Sequence, residues 1–308
     1  MSAVATGAQP AGTHLVGALA IVLTGLIWSA GGLFFRMLEN EHLWPILVWR
    51  FLCISLFFAI IVLWRRRGRL FAFWGELGWR AIPGGLFFTG ASLFFLLALD
   101  ATTVFNALMM LSMQPLLAAA LAWIFLREPV RPVTWVAMLL AVLGVYLMLQ
   151  DSLEGGGFLG NLLALGSSLC FAAYTVANRA VGAVDTAPLI MLGGAFGALV
   201  TLGVCLAQGV PLAINLNDSA LAFSMSFLLG LGFLLFNWAV RLVPAAEAMV
   251  LTQTEVIFGP LWVWLVFAEE PSRAALIGGG VLFCAVLVQA VGGLRRKARV
   301  IAPPAEQP

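Results

Sequence analysis

Apolar residues run along this chain in ten long segments that are separated by short polar breaks. Each segment holds about twenty mainly apolar residues, the length of helix that crosses a bilayer core about 30 Å thick. The breaks carry charged and turn-forming residues, such as the basic cluster at 65–69 and Arg127-Glu128-Pro129. The pattern predicts ten transmembrane helices, at residues 15–35, 44–64, 79–99, 103–126, 133–150, 158–178, 187–208, 219–240, 245–267 and 274–294.

Composition agrees with an all-α membrane protein. Hydrophobic residues make up 62% of the chain and charged residues only 10%, against about 25% charged residues in a soluble domain. The segments are apolar all round, whereas the strands of a membrane barrel alternate apolar and polar residues. No basic residue precedes the first segment, which is too long for the apolar core of a secretion signal, so we expect it to remain as helix 1.

The cysteines and histidines do not indicate a disulfide framework, a metal site or a cofactor. All four cysteines lie inside apolar segments, and no CxxC pair occurs. We therefore expect structural roles for them. The two histidines, His14 and His42, lie at helix margins, where surface positions are expected.

Basic residues are distributed unevenly between the breaks. With both termini in the cytoplasm, only Arg36, Arg50 and Arg273 fall outside the inner side. The positive-inside rule therefore predicts this orientation, and a net charge of +2 does not call for a nucleic-acid partner. The inner residues are Arg65, Arg66, Arg67, Arg69, Arg80, Arg127, Arg131, Arg179, Arg241, Arg295, Arg296, Lys297 and Arg299.

The chain contains an internal repeat. Residues 26–36 resemble residues 169–179 at an offset of 143, and both stretches end in arginine; residues 98–128 match 239–269 at an offset of 141. The repeat predicts a first half at 15–150 and a second half at 151–294. A cytoplasmic tail at 1–14 precedes the first half, and a basic cytoplasmic tail at 295–308 follows the second. Because each half has five spans, the halves enter the membrane from opposite sides and form an inverted repeat.

Several of these positions resemble the drug/metabolite transporter superfamily, in particular its EamA-domain group. They are the stretch 26–29 with Arg36, Arg50 in helix 2, and the segment 98–128, which contains Pro115. Arg127-Glu128 stands where the family usually has Gly-Glu. In the second half Glu255 occupies a place where the family commonly has Glu before proline, and Val256 replaces that proline.

The resemblance implies a ten-helix transporter of the bacterial inner membrane, often an exporter of amino acids or related metabolites. It is compatible with the exporters of aromatic and neutral amino acids. Its partners would be a small-molecule substrate and the lipid bilayer. Substrate identity, coupling ion, direction and oligomeric state stay open.

Glu255 is the sharpest candidate for the transport site. It lies about ten residues into helix 9, near the bilayer midplane, where an ionised carboxylate is costly unless paired or hydrated. It would bind a substrate amine or couple transport to protons; the alternative is a carboxylate locked in helix packing. Gln114 occupies the related place in helix 4 beside Pro115, where it would line the cavity or satisfy a helix kink.

Six further residues combine aromatic faces with hydrogen-bonding groups, as a small amphipathic solute requires. The alternative is an interfacial position, as expected for the tryptophans at helix ends. These candidates for the cavity are Trp28, Ser29, Tyr174, Thr175, Asn237 and Trp238. Arg50 lies some seven residues inside helix 2. We expect it to form a structural or gating ion pair with Glu39 or Asp100, with a substrate carboxylate as the alternative.

Other functions are less compatible with the sequence. A pump driven by ATP requires a GxxxxGK[ST] motif, which is absent. An intramembrane enzyme requires a Ser/His, paired-aspartate or His-metal group at membrane depth, and neither histidine lies deep. The main alternative within transport is a broad exporter of drugs or cationic compounds, with Glu255 as the cation partner.

Overall fold

The computed structural model describes residues 11–39, 42–130, 132–155, 157–181, 185–243, 248 and 251–301. Within these ranges the chain is helical and contains no strand. We number the α-helices in chain order as α1 (Ala11–Arg36), α2 (Leu43–Arg65), α3 (Phe73–Leu77), α4 (Ala81–Ala101), α5 (Val104–Leu111), α6 (Gln114–Leu126), α7 (Pro132–Gly155), α8 (Phe158–Val181), α9 (Ala187–Gln208), α10 (Leu216–Ala239), α11 (Thr254–Phe267) and α12 (Arg273–Ile301).

Eight stretches of the described chain are long and apolar enough to cross a membrane. They match the first eight predicted spans, with α5 and α6 together forming the fourth. The last two predicted spans correspond to shorter apolar helices, Thr254–Phe267 and Arg273–Val288. Large apolar side chains cover the outside of the bundle, among them Ile60, Leu139 and Leu199, each more than 60% exposed. Such a surface suits lipid rather than water.

The helices pack around a common core. The pairs with the most extensive contact are α2 with α9, α4 with α8, and α7 with α12, while α1 packs against α10 and α11. Because the helices run alternately up and down, the bundle has two ends. We call them the Arg36 end, where α1 ends, and the Arg65 end, where α2 ends.

Two predicted spans are interrupted instead of continuous. Ser112 and Met113 leave the helix between α5 and α6, and Gln253 leaves it just before α11, although Ala248, Leu251 and Thr252 are helical. Pro115 follows the first break within two residues, and it cannot donate a backbone hydrogen bond to the preceding turn. Neither glycine nor proline stands at the second break. The two breaks lie 141 residues apart, which is the offset of the repeated segments.

The same offset relates two left-handed residues. Arg127 ends α6 with φ 56° and Ala268 ends α11 with φ 51°. A left-handed residue is a common way to end a helix, but it is strained for any residue with a Cβ. Each turn places a glutamate next, Glu128 and Glu269.

Helix extends into both predicted tails. α1 begins at Ala11, within the predicted tail at 1–14, and residues 1–10 lie outside the described chain. The tail predicted at 295–308 begins as helix, since α12 continues to Ile301. Pro303-Pro304 lies outside the described residues.

Gly25 allows α1 to approach the beginning of α11. A Cβ at Gly25 would overlap Thr254 Oγ1 and would lie 3.2 Å from both Glu255 N and Thr252 O. Replacing Gly25 with Ala should therefore destabilise the protein by about 1–3 kcal/mol through overpacking, seen as a lower melting temperature in lipid nanodiscs. Gly31→Ala in the same helix is the control. A Cβ there meets no atom within 4 Å, so this change should stabilise by about 0.5–1 kcal/mol; equal effects would contradict the close packing.

Ala268→Gly should stabilise the protein, because glycine adopts the left-handed conformation without a Cβ clash. We expect a gain of about 0.5–1 kcal/mol and a higher melting temperature. Ala173→Gly, inside α8, should instead cost about 1 kcal/mol as an ordinary helix-interior glycine. A melting temperature that falls for both variants would show that the turn at Ala268 is not strained.

Candidate functional site

Two cavities meet in the middle of the bundle. The first, of about 120 Å³, reaches toward the Arg36 end and is lined by Arg50, Ser92 and Phe34 among others. The second, of about 390 Å³, reaches the helix ends at the Arg65 end, where Asn178 and Asn237 line it. Six residues line both cavities, and we call them the waist: Trp28, Leu111, Gln114, Phe171, Phe233 and Glu255.

Gln114 and Glu255 both lie in the wall between the cavities. Gln114 is the first residue of α6 and Glu255 the second of α11, each directly after a helix break. Both are half-buried. Neither side chain forms a hydrogen bond or an ion pair with the described part of the chain. A carboxylate and an amide are thus left for water or a ligand.

Backbone contacts fix the position of Glu255. Val256 N donates to Gln253 O at 3.0 Å, which closes the turn around the break. Thr254 Oγ1 donates to Leu251 O at 2.8 Å on the other side of it. Together with the close packing of Gly25 on this turn, these contacts hold the carboxylate at the waist.

Aromatic rings form much of the wall. Trp28 packs against Phe233 with ring centroids 5.0 Å apart, and Phe88 lies 5.9 Å from the same ring. Trp28 Nε1 donates to Leu229 O at 3.3 Å, so its hydrogen-bond donor is occupied. Gly232 makes room for this arrangement, because a Cβ there would overlap the Trp28 indole. The waist thus presents aromatic surface beside Gln114 and Glu255.

Three predicted polar residues line the second cavity: Tyr174, Thr175 and Asn237. Thr175 Oγ1 donates to Phe171 O at 2.9 Å, and Asn237 Nδ2 to Thr186 Oγ1 at 2.9 Å. No hydrogen bond of good geometry reaches Tyr174 Oη or Asn178 Oδ1, although both atoms are buried. The wall of the second cavity therefore contains polar side chains as well as apolar ones.

Two predicted site residues lie elsewhere. Ser29 is buried and lines neither cavity; it donates to Leu26 O at 2.7 Å and accepts from Trp262 Nε1 at 2.9 Å, which ties α1 to α11. Trp238 is 49% exposed on the outside of α10. Its neighbour Asn237 faces the cavity, because successive residues on a helix point about 100° apart.

The ion pair predicted for Arg50 is wrong for the described residues. Neither Glu39 nor Asp100 contacts it, and the described ion pairs involve other arginines. Arg50 is 5% exposed, and its Nη1 donates to Ser92 Oγ at 2.9 Å. Its Nε is buried without a hydrogen-bond partner. Arg50 lines the first cavity.

Several lining residues were not predicted. Asn178 and Gln253 line the second cavity, and both have a signal in the sequence: Asn178 precedes the repeated arginine, and Gln253 lies two residues before Glu255. Phe171 also has a signal, because the repeat offset of 143 makes it the equivalent of Trp28. Ser92, Phe88 and Phe233 have no such signal, because serine and phenylalanine occur throughout the apolar segments.

A set of contacts at the Arg36 end joins four segments. Arg36 Nε donates to Glu269 Oε2 at 2.8 Å, while its Nη1 and Nη2 donate to Leu99 O and Thr102 O at 2.7 and 2.8 Å. Glu269 Oε1 accepts from Val104 N at 2.6 Å. We call these five residues the Arg36 lock. It connects the ends of α1 and α4, the start of α5 and the turn after α11.

Comparison with known proteins places the chain in a family. The EamA-like transporter family matches residues 15–150 and again residues 158–290. An "Uncharacterized transporter" of Methanothermobacter thermautotrophicus is 26% identical over 64% of this chain, and the match spans 60% of that relative's length, less than two thirds. The "Uncharacterized transporter YwfM" of Bacillus subtilis is 25% identical over 67% of this chain, and the match spans 70% of that relative's length.

A solved structure supports the fold. It is described as "Crystal structure of protein", superposes with a TM-score of 0.60 at 16% identity, and the match covers 92% of this chain and 99% of the other. At this identity the likeness concerns the fold alone. The family match extends over most of the chain, and the described helices include eight candidate membrane spans. The chain belongs to the EamA-like transporter family and is a multi-pass membrane protein.

Proposed function

We propose that the protein is a secondary transporter that exports amino acids, including aromatic or neutral ones, or related small metabolites by alternating access. The observation that carries this proposal is Glu255, a carboxylate without a partner in the described chain, at an aromatic waist between two cavities. A small solute with an amine and an apolar body suits such a wall. Outward transport is the direction that the family resemblance implies.

Alternating access requires two halves that exchange roles, and the helix packing supports an inverted repeat. The repeat makes α1 the counterpart of α8, α2 of α9, α4 of α10, α6 of α11 and α7 of α12. When each helix is replaced by its counterpart, helices that pack together are replaced by helices that also pack together. The contact of α4 with α8 becomes that of α10 with α1, and the contact of α6 with α8 becomes that of α11 with α1. The helix breaks and the left-handed turns follow the same correspondence. Broken helices near the midplane are typical of transporter binding sites.

The Arg36 lock closes one end in this proposal. It joins the ends of α1 and α4 to the turn after α11, and therefore connects the two halves above the first cavity. The repeat assigns Arg179 and Glu128 the equivalent places at the other end; the Arg179 side chain lies outside the described part. We propose that the pair of Arg36 and Glu269 holds its own end closed.

Orientation and location follow from the charge pattern. The thirteen basic residues on one side support cytoplasmic termini in a bacterial inner membrane. The Arg36 end then faces outward. We propose no covalent chemistry for the protein, since a carrier needs only to bind the solute and change conformation.

Export of organic cations is the second candidate function. The same features favour it in part, because Glu255 and the rings of Trp28, Phe171 and Phe233 would also bind a cation with an apolar body. Arg50 in the first cavity argues against it, since a buried positive charge repels a cationic solute.

Glu255→Gln should reduce counterflow of radiolabelled phenylalanine into proteoliposomes by at least about tenfold, because a hydrogen bond to a charged group contributes about 1.5–3 kcal/mol. The shape of the side chain is kept, so folding should be unaffected. Glu76→Gln, which removes an exposed carboxylate outside both cavities, should leave counterflow unchanged. Wild-type rates and wild-type pH dependence in Glu255→Gln would refute the role of Glu255.

Glu269→Gln should open the Arg36 end more often, because the charge of the lock is lost. An ion pair of this exposure contributes about 1 kcal/mol, which corresponds to a roughly fivefold change in the ratio of open to closed molecules. The experiment uses a variant in which the four native cysteines are replaced by alanine. In this variant Ala91, which lines the first cavity, is replaced by cysteine. A membrane-impermeant maleimide added to spheroplasts, which expose the Arg36 side in the proposed orientation, should then react about fivefold faster.

The matched control for this experiment is again Glu76→Gln, which breaks the ion pair between Arg66 and Glu76 at 2.7 Å. That pair joins residues near the Arg65 end, so its loss should not change labelling of Ala91→Cys. Equal labelling rates with and without the Glu269→Gln change would show that the lock does not control access.

A further inference from the structure

Arg50 is a buried cation whose neutralising partner is missing from the described chain. Its guanidinium carries five N–H donors, and the structure shows one hydrogen bond from it, Nη1 to Ser92 Oγ at 2.9 Å. Nε is buried without an acceptor. The centroid of the Phe51 ring lies 6.0 Å from Cζ. A charge at this depth is costly unless an anion or water meets it.

The surroundings of Arg50 hold the side chain at the cavity rather than at the helix end. Ser226 Oγ donates to the Arg50 carbonyl at 2.9 Å, which fixes this turn of α2 against α10. Ser92 on α4 positions the guanidinium from the other side. Arg50 lies seven residues from the start of α2, or about 10 Å along the helix axis. The guanidinium therefore forms a fixed part of the first cavity's wall.

The same cavity contains one unpaired charge of each sign. Arg50 and Glu255 both line it, and no ion pair joins them. The other polar side chains there are uncharged: Ser167 Oγ donates to Ala91 O at 2.7 Å, and Gln114 carries a neutral amide. The rest of the wall is mainly apolar and aromatic. A cavity with a separate cation, a separate anion and apolar walls is complementary to a zwitterion with an apolar side chain.

We propose that Arg50, held by Ser92, is the subsite for the carboxylate of the substrate, and that the transporter selects zwitterionic amino acids over amines and over carboxylic acids. This inference rests on the proposed function, in which Glu255 meets the amine. Arginine suits the role because its planar donors match a carboxylate in two parallel hydrogen bonds. The positive charge also disfavours solutes that carry only an amine.

Equilibrium binding of three matched probes tests the subsite without any mutation. Phenylalanine carries both charged groups, phenethylamine lacks the carboxylate, and 3-phenylpropionate lacks the amine. In calorimetric titrations of the protein in nanodiscs, phenylalanine should bind at least about tenfold tighter than either analogue, since one charge-assisted contact is lost with each. Equal affinities for phenylalanine and phenethylamine would overturn the proposal.

Variants then assign the effect to Arg50. Arg50→Gln should weaken phenylalanine binding at least about tenfold and phenethylamine binding less than about twofold. Arg50→Lys keeps the positive charge without the planar donors, so it should keep a reduced preference for phenylalanine, and it serves if the glutamine variant does not fold. Arg66→Gln, just after the end of α2, is the control and should change neither affinity. Equal weakening of both ligands in Arg50→Gln would show a purely structural arginine.

The outcomes separate this inference from the proposed function. If the three-probe selectivity holds but no phenylalanine counterflow occurs in proteoliposomes, the subsite stands and transport of amino acids fails. If counterflow occurs while phenethylamine binds as tightly as phenylalanine, transport stands and the carboxylate subsite is overturned.

Discussion

A polar side chain among membrane helices has to find its partner within the bundle, because lipid offers none. Most polar side chains here do so locally. Thr24, Thr89 and Thr201 donate to carbonyl groups one turn earlier in their own helices. The side chains of Gln114 and Glu255 have no hydrogen-bond partner in the described chain, and that of Arg50 has one. All three line the first cavity. The site is therefore a part of the bundle where polar groups that line a cavity are left for water or a ligand to satisfy.

The backbone around the site is repeated although the residues are not. The first break has Pro115 beside it, whereas the second has Val256 in that place; the left-handed turns use Arg127 and Ala268. Local chemistry alone does not produce such agreement, since neither alanine nor arginine favours a positive φ. The packing of whole helices must impose it: α5 and α6 pack against α8, as α11 packs against α1. The strain at each turn is compensated by the tertiary contacts it permits.

The length of the apolar runs was sufficient to predict eight of the spans and insufficient to predict where helices are interrupted. Residues 187–208 were predicted as a helix and form α9 with the same bounds, because length and apolarity alone define a membrane span. No breaker stands at Gln253, and the proline of the same apolar run, Pro260, lies inside α11 instead, so only the structure shows the break. The side of a helix that faces the cavities could not be predicted either: Trp238 and Asn237 are neighbours, and only Asn237 lines a cavity. Which side of a helix faces inward depends on partners distant in the chain.

Two arginines near the same end of the bundle show how partners distinguish structure from function. Arg36 gives Nε, Nη1 and Nη2 to three acceptors, Glu269 among them, and so has little left for a ligand. Arg50 shows one hydrogen bond and no carboxylate within reach in the described chain. The charge pattern of the sequence does not distinguish the two arginines, because both lie outside the basic residues of the predicted cytoplasmic side. A buried cation without a partner lowers the stability of the protein. In the proposed function the substrate carboxylate supplies that partner. The electrostatic energy missing from the empty protein then contributes to substrate affinity and selectivity.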